Sequence, residues 1–110
     1  MDLEDFDREA LLLIFSEEAE EGLVRMEQAL VALEEQPDDS EALQTVFRVA
    51  HTLKGSAACL GFADLAEMTH GLEGVLDRLR SGQVALSREV VDALLESVDV
   101  LREMVAEALR

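Results

Sequence analysis

Apolar residues recur every three or four positions along almost the whole chain, the spacing of one face of an α-helix. Four such stripes are present. Leu12, Phe15, Ala19, Leu23, Met26, Leu30 and Leu33 predict a helix over about 4–35, which Pro37 stops within "QPDDSE". Asp38, with Glu41 three residues on, reads as a capping-box start for a second helix over about 39–59, carrying Leu43, Val46, Phe47, Ala50, Leu53, Ala57 and Leu60 inward. Gly61 closes it. The third, about 63–81, turns Leu65, Met68, Leu72, Val75, Leu76 and Leu79 inward and ends before Gly82, the left-handed residue past its end. Ser87 caps a fourth over about 87–109, through Val91, Leu94, Leu95, Val98, Leu101 and Val105.

The connections are short, so sequential helices are antiparallel neighbours. The expected fold is all-α, an antiparallel up-down-up-down four-helix bundle. A coiled coil competes, but the Pro and Gly breaks interrupt any heptad run before four heptads accumulate. Residues 1–110 are read as a single domain, long enough to bury a core without staples, and no repeat, linker or low-complexity tract divides them. No helix pattern shows a second apolar face, so the isolated domain is expected to be a monomer. The one cysteine, Cys59, has no partner for an internal disulfide. The start "MDLEDFDREALLLIF" lacks the basic region of a secretion signal, and its longest apolar run, Ala10 to Phe15, is far short of the roughly 20 residues needed to span a bilayer. A reducing cytoplasm is the expected compartment.

A net charge of −16 sets the chain against nucleic acid and anionic membrane surfaces. Most of these carboxylates are expected simply to solvate helix faces. One segment departs from the pattern. Ala42 to Ala63 contains no Asp or Glu, yet holds Arg48, His51 and Lys54, so it suits an anionic visitor.

Helical geometry then locates the chemistry. At 100° per residue His51 falls on the shoulder of the second helix, about 100° from the centre of its apolar face, and is exposed on one side. Lys54 lies between that face and His51. Gly55, one turn after His51, costs a helix about 1 kcal/mol against alanine, which fits clearance for an approaching molecule or a close helix contact. On the third helix Glu73 has the same offset from its own apolar face. His51 and Glu73 also stand about 15 and 18 Å from the turn at Gly61, at 1.5 Å per residue. Equal offsets converge on one groove or diverge to opposite sides, according to the hand of the bundle. If they converge, the carboxylate orients one imidazole nitrogen and leaves the other as a neutral nucleophile. His70 lies near the same level, further outward. Cys59 has no nucleophile's surroundings.

"FRVAHTLKGSAACLGF" followed by "LAEMTHGLEGVLDRLRSG" strongly resembles the histidine-containing phosphotransfer (HPt) domain, and within it the N-terminal phosphotransfer domain of CheA-type chemotaxis histidine kinases. The likeness includes "FSEEAEEGLVRMEQAL" and so covers nearly the whole chain. A bare H-x-x-K-G would be weak; the ordered set of His51, Lys54 and Gly55, then Gly61 and Phe62, then Thr69, His70 and Glu73 is specific. The resemblance implies that His51 is the phosphorylated histidine, Lys54 a cation beside the phosphoryl group, Glu73 the orienter of the imidazole and His70 a member of the same network. Arg48, Gly55 and Ser56 would meet the partner. Domains of this type often carry a fifth helix, and this chain stops at Arg110, as the N-terminal part of a larger chemotaxis-type kinase would if excised.

There is no G-x-x-x-x-G-K-[ST] loop and no kinase-type carboxylate cluster. The expectation is therefore a phosphocarrier with no cofactor of its own. ATP and magnesium would come with a histidine kinase's ATP-binding domain, and the phosphoryl group would pass to an aspartate on a response-regulator receiver domain. Two other classes compete. Glu67-x-x-His70 has the spacing of di-iron bundles, but the matching position before His51 holds Arg48 instead of a glutamate, so no metal site is expected. An acidic helical adaptor with His51 incidental is the other.

Overall fold

A computed structural model describes residues 3–110 and, from Asp7 onward, their side chains. Four helices run α1 (Leu3–Glu35), α2 (Ser40–Cys59), α3 (Ala63–Arg80) and α4 (Arg88–Ala108). No strand occurs among the described residues. Each helix packs antiparallel to the one before it, with α4 returning against α1; α2 and α3 form the closest pair and α3 and α4 the loosest. The expected bundle is therefore the observed one, drawn out to 51 × 21 × 20 Å by the length of α1.

Local chemistry sets the helix ends. Asp39, not Asp38, caps α2: its carboxylate accepts the Ala42 amide at 3.1 Å, while Asp38 lies in the turn after Pro37. The cap needs an acceptor three residues before a free amide, and Asp39 stands at that distance from Ala42. Ser87 caps α4 in the same way, accepting from Val90 at 3.2 Å. Gly61 and Gly82 both take φ near +81°. At each, the glycine amide and the next one fold back on the last helical turn, Gly61 to Ala58 and Phe62 to Ala57, Gly82 to Leu79 and Gln83 to Arg78, which satisfies carbonyls the helix leaves free. The first of these turns fixes the register of the α2–α3 hairpin, and Phe62 then leans on Phe15 of α1 with ring centroids 5.5 Å apart.

The core follows the stripes. Phe15, Leu23, Met26, Leu30 and Leu33 of α1 meet Val46, Ala50, Leu53 and Ala57 of α2, Leu65, Leu72 and Leu76 of α3 and Val91, Leu94, Val98 and Leu101 of α4. Gly22 lets α1 and α2 close up, since a Cβ there would stand 3.2 Å from Val49 Cγ1. Five positions differ from expectation. Val75 points outward, 40% exposed, because α3 and α4 diverge and leave an open apolar groove where Val75 would have been covered. Thr69 is fully buried, its hydroxyl donating to the carbonyls of Leu65 at 2.8 Å and Ala66 at 3.0 Å, so it costs the core no unpaired polar group. Leu11, Leu13 and Ile14 are at least half exposed, an apolar set on α1 that the single-faced pattern did not anticipate. Across the bundle, Arg102 of α4 grips Glu27 of α1 with two parallel hydrogen bonds of 3.1 Å.

Candidate functional site

The α2–α3 hairpin brings His51 and Glu73 together, and with that the convergent arrangement is the real one. Nδ1 of His51 lies 3.0 Å from Oε1 of Glu73. The imidazole is 63% exposed and the carboxylate 16%, so the pair has a wet end and a dry end. Lys54 takes the other oxygen: its Nζ stands 2.7 Å from Glu73 Oε2. That oxygen is sealed from solvent, so the ammonium is the close partner that stands in for water. Sequence spacing placed Lys54 on this flank and the family resemblance implied a cation beside the phosphoryl group; in the structure its ammonium is already engaged by Glu73.

Charge assigns the proton. Lys54 is the main cause holding the Glu73 carboxyl below its ordinary value near 4.5; burial pushes the other way, and the contact with His51 lowers it further. An ionised carboxylate can only accept, so Nδ1 of the ring carries the hydrogen and donates it to Oε1. In the neutral ring Nε2 then holds the lone pair, and no hydrogen bond reaches it from the described residues. The arrangement can present one uncharged nitrogen, in a fixed tautomer, to a reagent arriving from solvent.

His70 is exposed on α3, and among the described residues no hydrogen bond ties it to His51, Lys54 or Glu73. The structure thus does not bring it into the network the resemblance implied; helical rotation carries it further outward than Glu73, as its spacing predicts. Gly55 lies on the outermost line of α2, and a Cβ built there meets nothing within 4 Å. Close helix packing is therefore not its reason. Gly55→Ala is expected to stabilise the domain by about 0.5–1 kcal/mol, read from urea unfolding, since it removes backbone freedom at no steric cost. Arg48 is exposed and Ser56 half-buried; both line a groove between α1 and α2, on the side of α2 away from Glu73. Glu67, like His70, is exposed, and among the described residues no three His, Cys, Asp or Glu side chains gather as a metal site would require.

Two further residues shape the site. Phe47, one turn before His51, lies nearly parallel to the imidazole, with an interplanar angle of 9° and centroids 6.3 Å apart. The Arg80 guanidinium covers the Phe47 ring, its Cζ 3.7 Å from the centroid. The sequence reading counted Phe47 as core and passed over Arg80. The i, i+4 pairing of Phe47 with His51 was a usable signal; nothing local pointed to Arg80, which comes from α3.

Comparison with known proteins decides the family. A family model for the Hpt domain matches residues 10–109. The chain belongs to the Hpt domain family. As an Hpt domain it is 42% identical over 106 residues to the chemotaxis protein CheA of Borreliella burgdorferi, covering 96% of this chain and 12% of that protein. It superposes on the CheA phosphotransferase domain from Thermotoga maritima with a TM-score of 0.83 at 33% identity, covering 90% of this chain and 94% of the other. A third likeness is to the phosphorylated P1 domain of CheA3 in complex with CheY6 from R. sphaeroides, with a TM-score of 0.85, 28% identity and coverage of 91% and 78%. This Hpt domain thus spans a small fraction of the curated relatives it matches. No helix among the described residues is long and apolar enough to cross a membrane.

Proposed function

We propose that this Hpt domain carries a phosphoryl group on Nε2 of His51, taking it from the ATP-binding domain of a histidine kinase and giving it to an aspartate of a receiver domain. The observation that carries this reading is the exposed imidazole whose inner nitrogen is bonded to a sealed, lysine-paired carboxylate. Membership of the Hpt family and the likeness to a phosphorylated P1 domain complexed with CheY6 support it.

The steps balance without further protein groups. The Nε2 lone pair forms an N–P bond to the γ-phosphorus of ATP as the P–O bond to ADP breaks, and ADP leaves with the electron pair. The ring becomes cationic, and Glu73 meets the growing charge on Nδ1–H. In the return step an aspartate oxygen of the receiver attacks phosphorus, and the N–P electron pair goes back to Nε2. ATP and magnesium belong to the partner domains. Lys54 contributes first through Glu73, which it keeps ionised and in place, and its charge also lies on the flank where the phosphoryl oxygens arrive. The domain works in the cytoplasm, monomeric when isolated, as the N-terminal part of a chemotaxis-type kinase.

Incubation with a histidine kinase ATP-binding domain and labelled ATP tests the reading: the expected label is acid-labile and base-stable and maps to residue 51. A label on serine, threonine or aspartate, or none, would count against it. Receiver docking has its own test. A receiver's acidic, metal-binding pocket suits the carboxylate-free stretch of α2 that bears Arg48, so Arg48→Glu is expected to slow transfer to the receiver about tenfold at low salt, and less as salt rises. Unchanged transfer would place the docking face elsewhere.

A further inference from the structure

We propose that Phe47 and Arg80 are positioning residues for the His51 ring: stacked side by side, they set the plane in which Nε2 faces the incoming phosphorus. The inference rests on the phosphotransfer reading of His51 and adds two residues to it.

A hydrogen bond at one edge does not fix an imidazole. With Nδ1 held by Glu73, the ring can still rock about the Nδ1···Oε1 line, and because the Nε2 lone pair lies in the ring plane, rocking swings it off the axis of attack. In-line displacement is sensitive to such errors, about 100-fold for a misplacement near 1 Å. A flat neighbour parallel to the ring removes that freedom, and Phe47 is such a neighbour, 9° from parallel at 6.3 Å between centroids. The phenyl ring itself needs a fixed plane, and the planar guanidinium of Arg80, 3.7 Å from its centroid, supplies one. Arg80 is anchored in turn by Gln44 Oε1 at 3.2 Å on α2 and by Asp77 Oδ1 at 3.0 Å on α3. Gln44 stands almost one turn before Phe47, and His51 one turn after it. The order along the hairpin is therefore anchor, cation, phenyl ring, imidazole. Glu73 decides which edge of His51 faces α3, and Phe47 decides its tilt.

Phosphorylation kinetics separate positioning from docking. Phe47→Leu keeps apolar bulk and loses the flat face; kcat for labelling by the kinase domain is expected to fall about tenfold with KM within about twofold, and Phe47→Tyr to restore it. Arg80→Gln, on a side chain one-third exposed, should lower the same parameter by less, and it carries the test if the Leu variant fails to fold. A rise in KM at constant kcat, or no change in either, overturns the proposal. A second arm needs no kinase. Potassium phosphoramidate phosphorylates accessible imidazoles chemically, Nε2 or Nδ1 displacing ammonia from phosphorus, and 31P NMR distinguishes the two products. The unaltered protein is expected to be modified at His51 almost wholly on Nε2, a selectivity that Glu73 sets and Phe47→Leu keeps, while the rate of Nε2 modification in Phe47→Leu falls severalfold; an unaltered rate overturns the proposal. If the kinase labels the unaltered protein but not at His51, the functional reading itself fails, and the phosphoramidate arm alone decides whether Phe47 and Arg80 set the ring.

Discussion

His51→Gln removes the phosphoryl label completely, to the background of a reaction without the domain. Glutamine keeps the length and polarity of the side chain and offers no nucleophilic lone pair, so no fraction of the activity should survive. His70 is the one other histidine in the chain and it is exposed, so it could in principle take over. It is not expected to. Among the described residues its ring has no hydrogen-bonded carboxylate to hold one nitrogen protonated and the other aimed outward, and Phe47 pairs with His51 instead. The measurement is a time course with labelled ATP on both variants, with the unfolding midpoint checked in parallel. Retained label in His51→Gln, mapped to His70, would move the carrier role to α3 and leave the Glu73 geometry without its purpose.

Glu73→Ala should slow phosphorylation of His51 by about 10–100-fold, the usual cost of losing the group that orients an imidazole. Three effects combine. The ring loses its preferred tautomer, the cation formed on phosphorylation loses its counter-charge, and Lys54 is left next to the phosphohistidine without its partner. Glu73→Gln is the more telling variant, because an amide can still accept from Nδ1 while it no longer holds a charge for Lys54; it should recover part of the rate.

The same residue predicts a pH dependence of stability. The folded-state value of Glu73 lies below its ordinary value near 4.5, chiefly because of Lys54. A carboxyl lowered in this way adds stability that is fully present above its unfolded value and is lost as pH falls through the folded one. The difference in unfolding free energy between the unaltered protein and Glu73→Gln should therefore be constant from neutral pH to about 5 and shrink below about 4, as urea titrations at several pH values can show. A gap that widens on acidification would contradict the ion pair.

The helices, their order and most of their inward faces were legible in the chain because they follow from local rules: apolar spacing, a cap at Ser87, and left-handed glycines at 61 and 82, while the cap of α2 stands one residue later than expected, at Asp39 instead of Asp38. The axial levels of His51 and Glu73 were legible too, since rise per residue and the Gly61 turn set them. Their meeting was not. Equal angular offsets on two antiparallel helices leave two outcomes, and only the hand of packing chose the one that puts Nδ1 3.0 Å from the carboxylate. Tertiary structure likewise turned Lys54 to Glu73, left Val75 exposed where α3 and α4 diverge, and laid Arg80 of one helix over Phe47 of another. Each of these depends on how far and at what angle two helices approach, and periodicity within one helix carries no information about that distance.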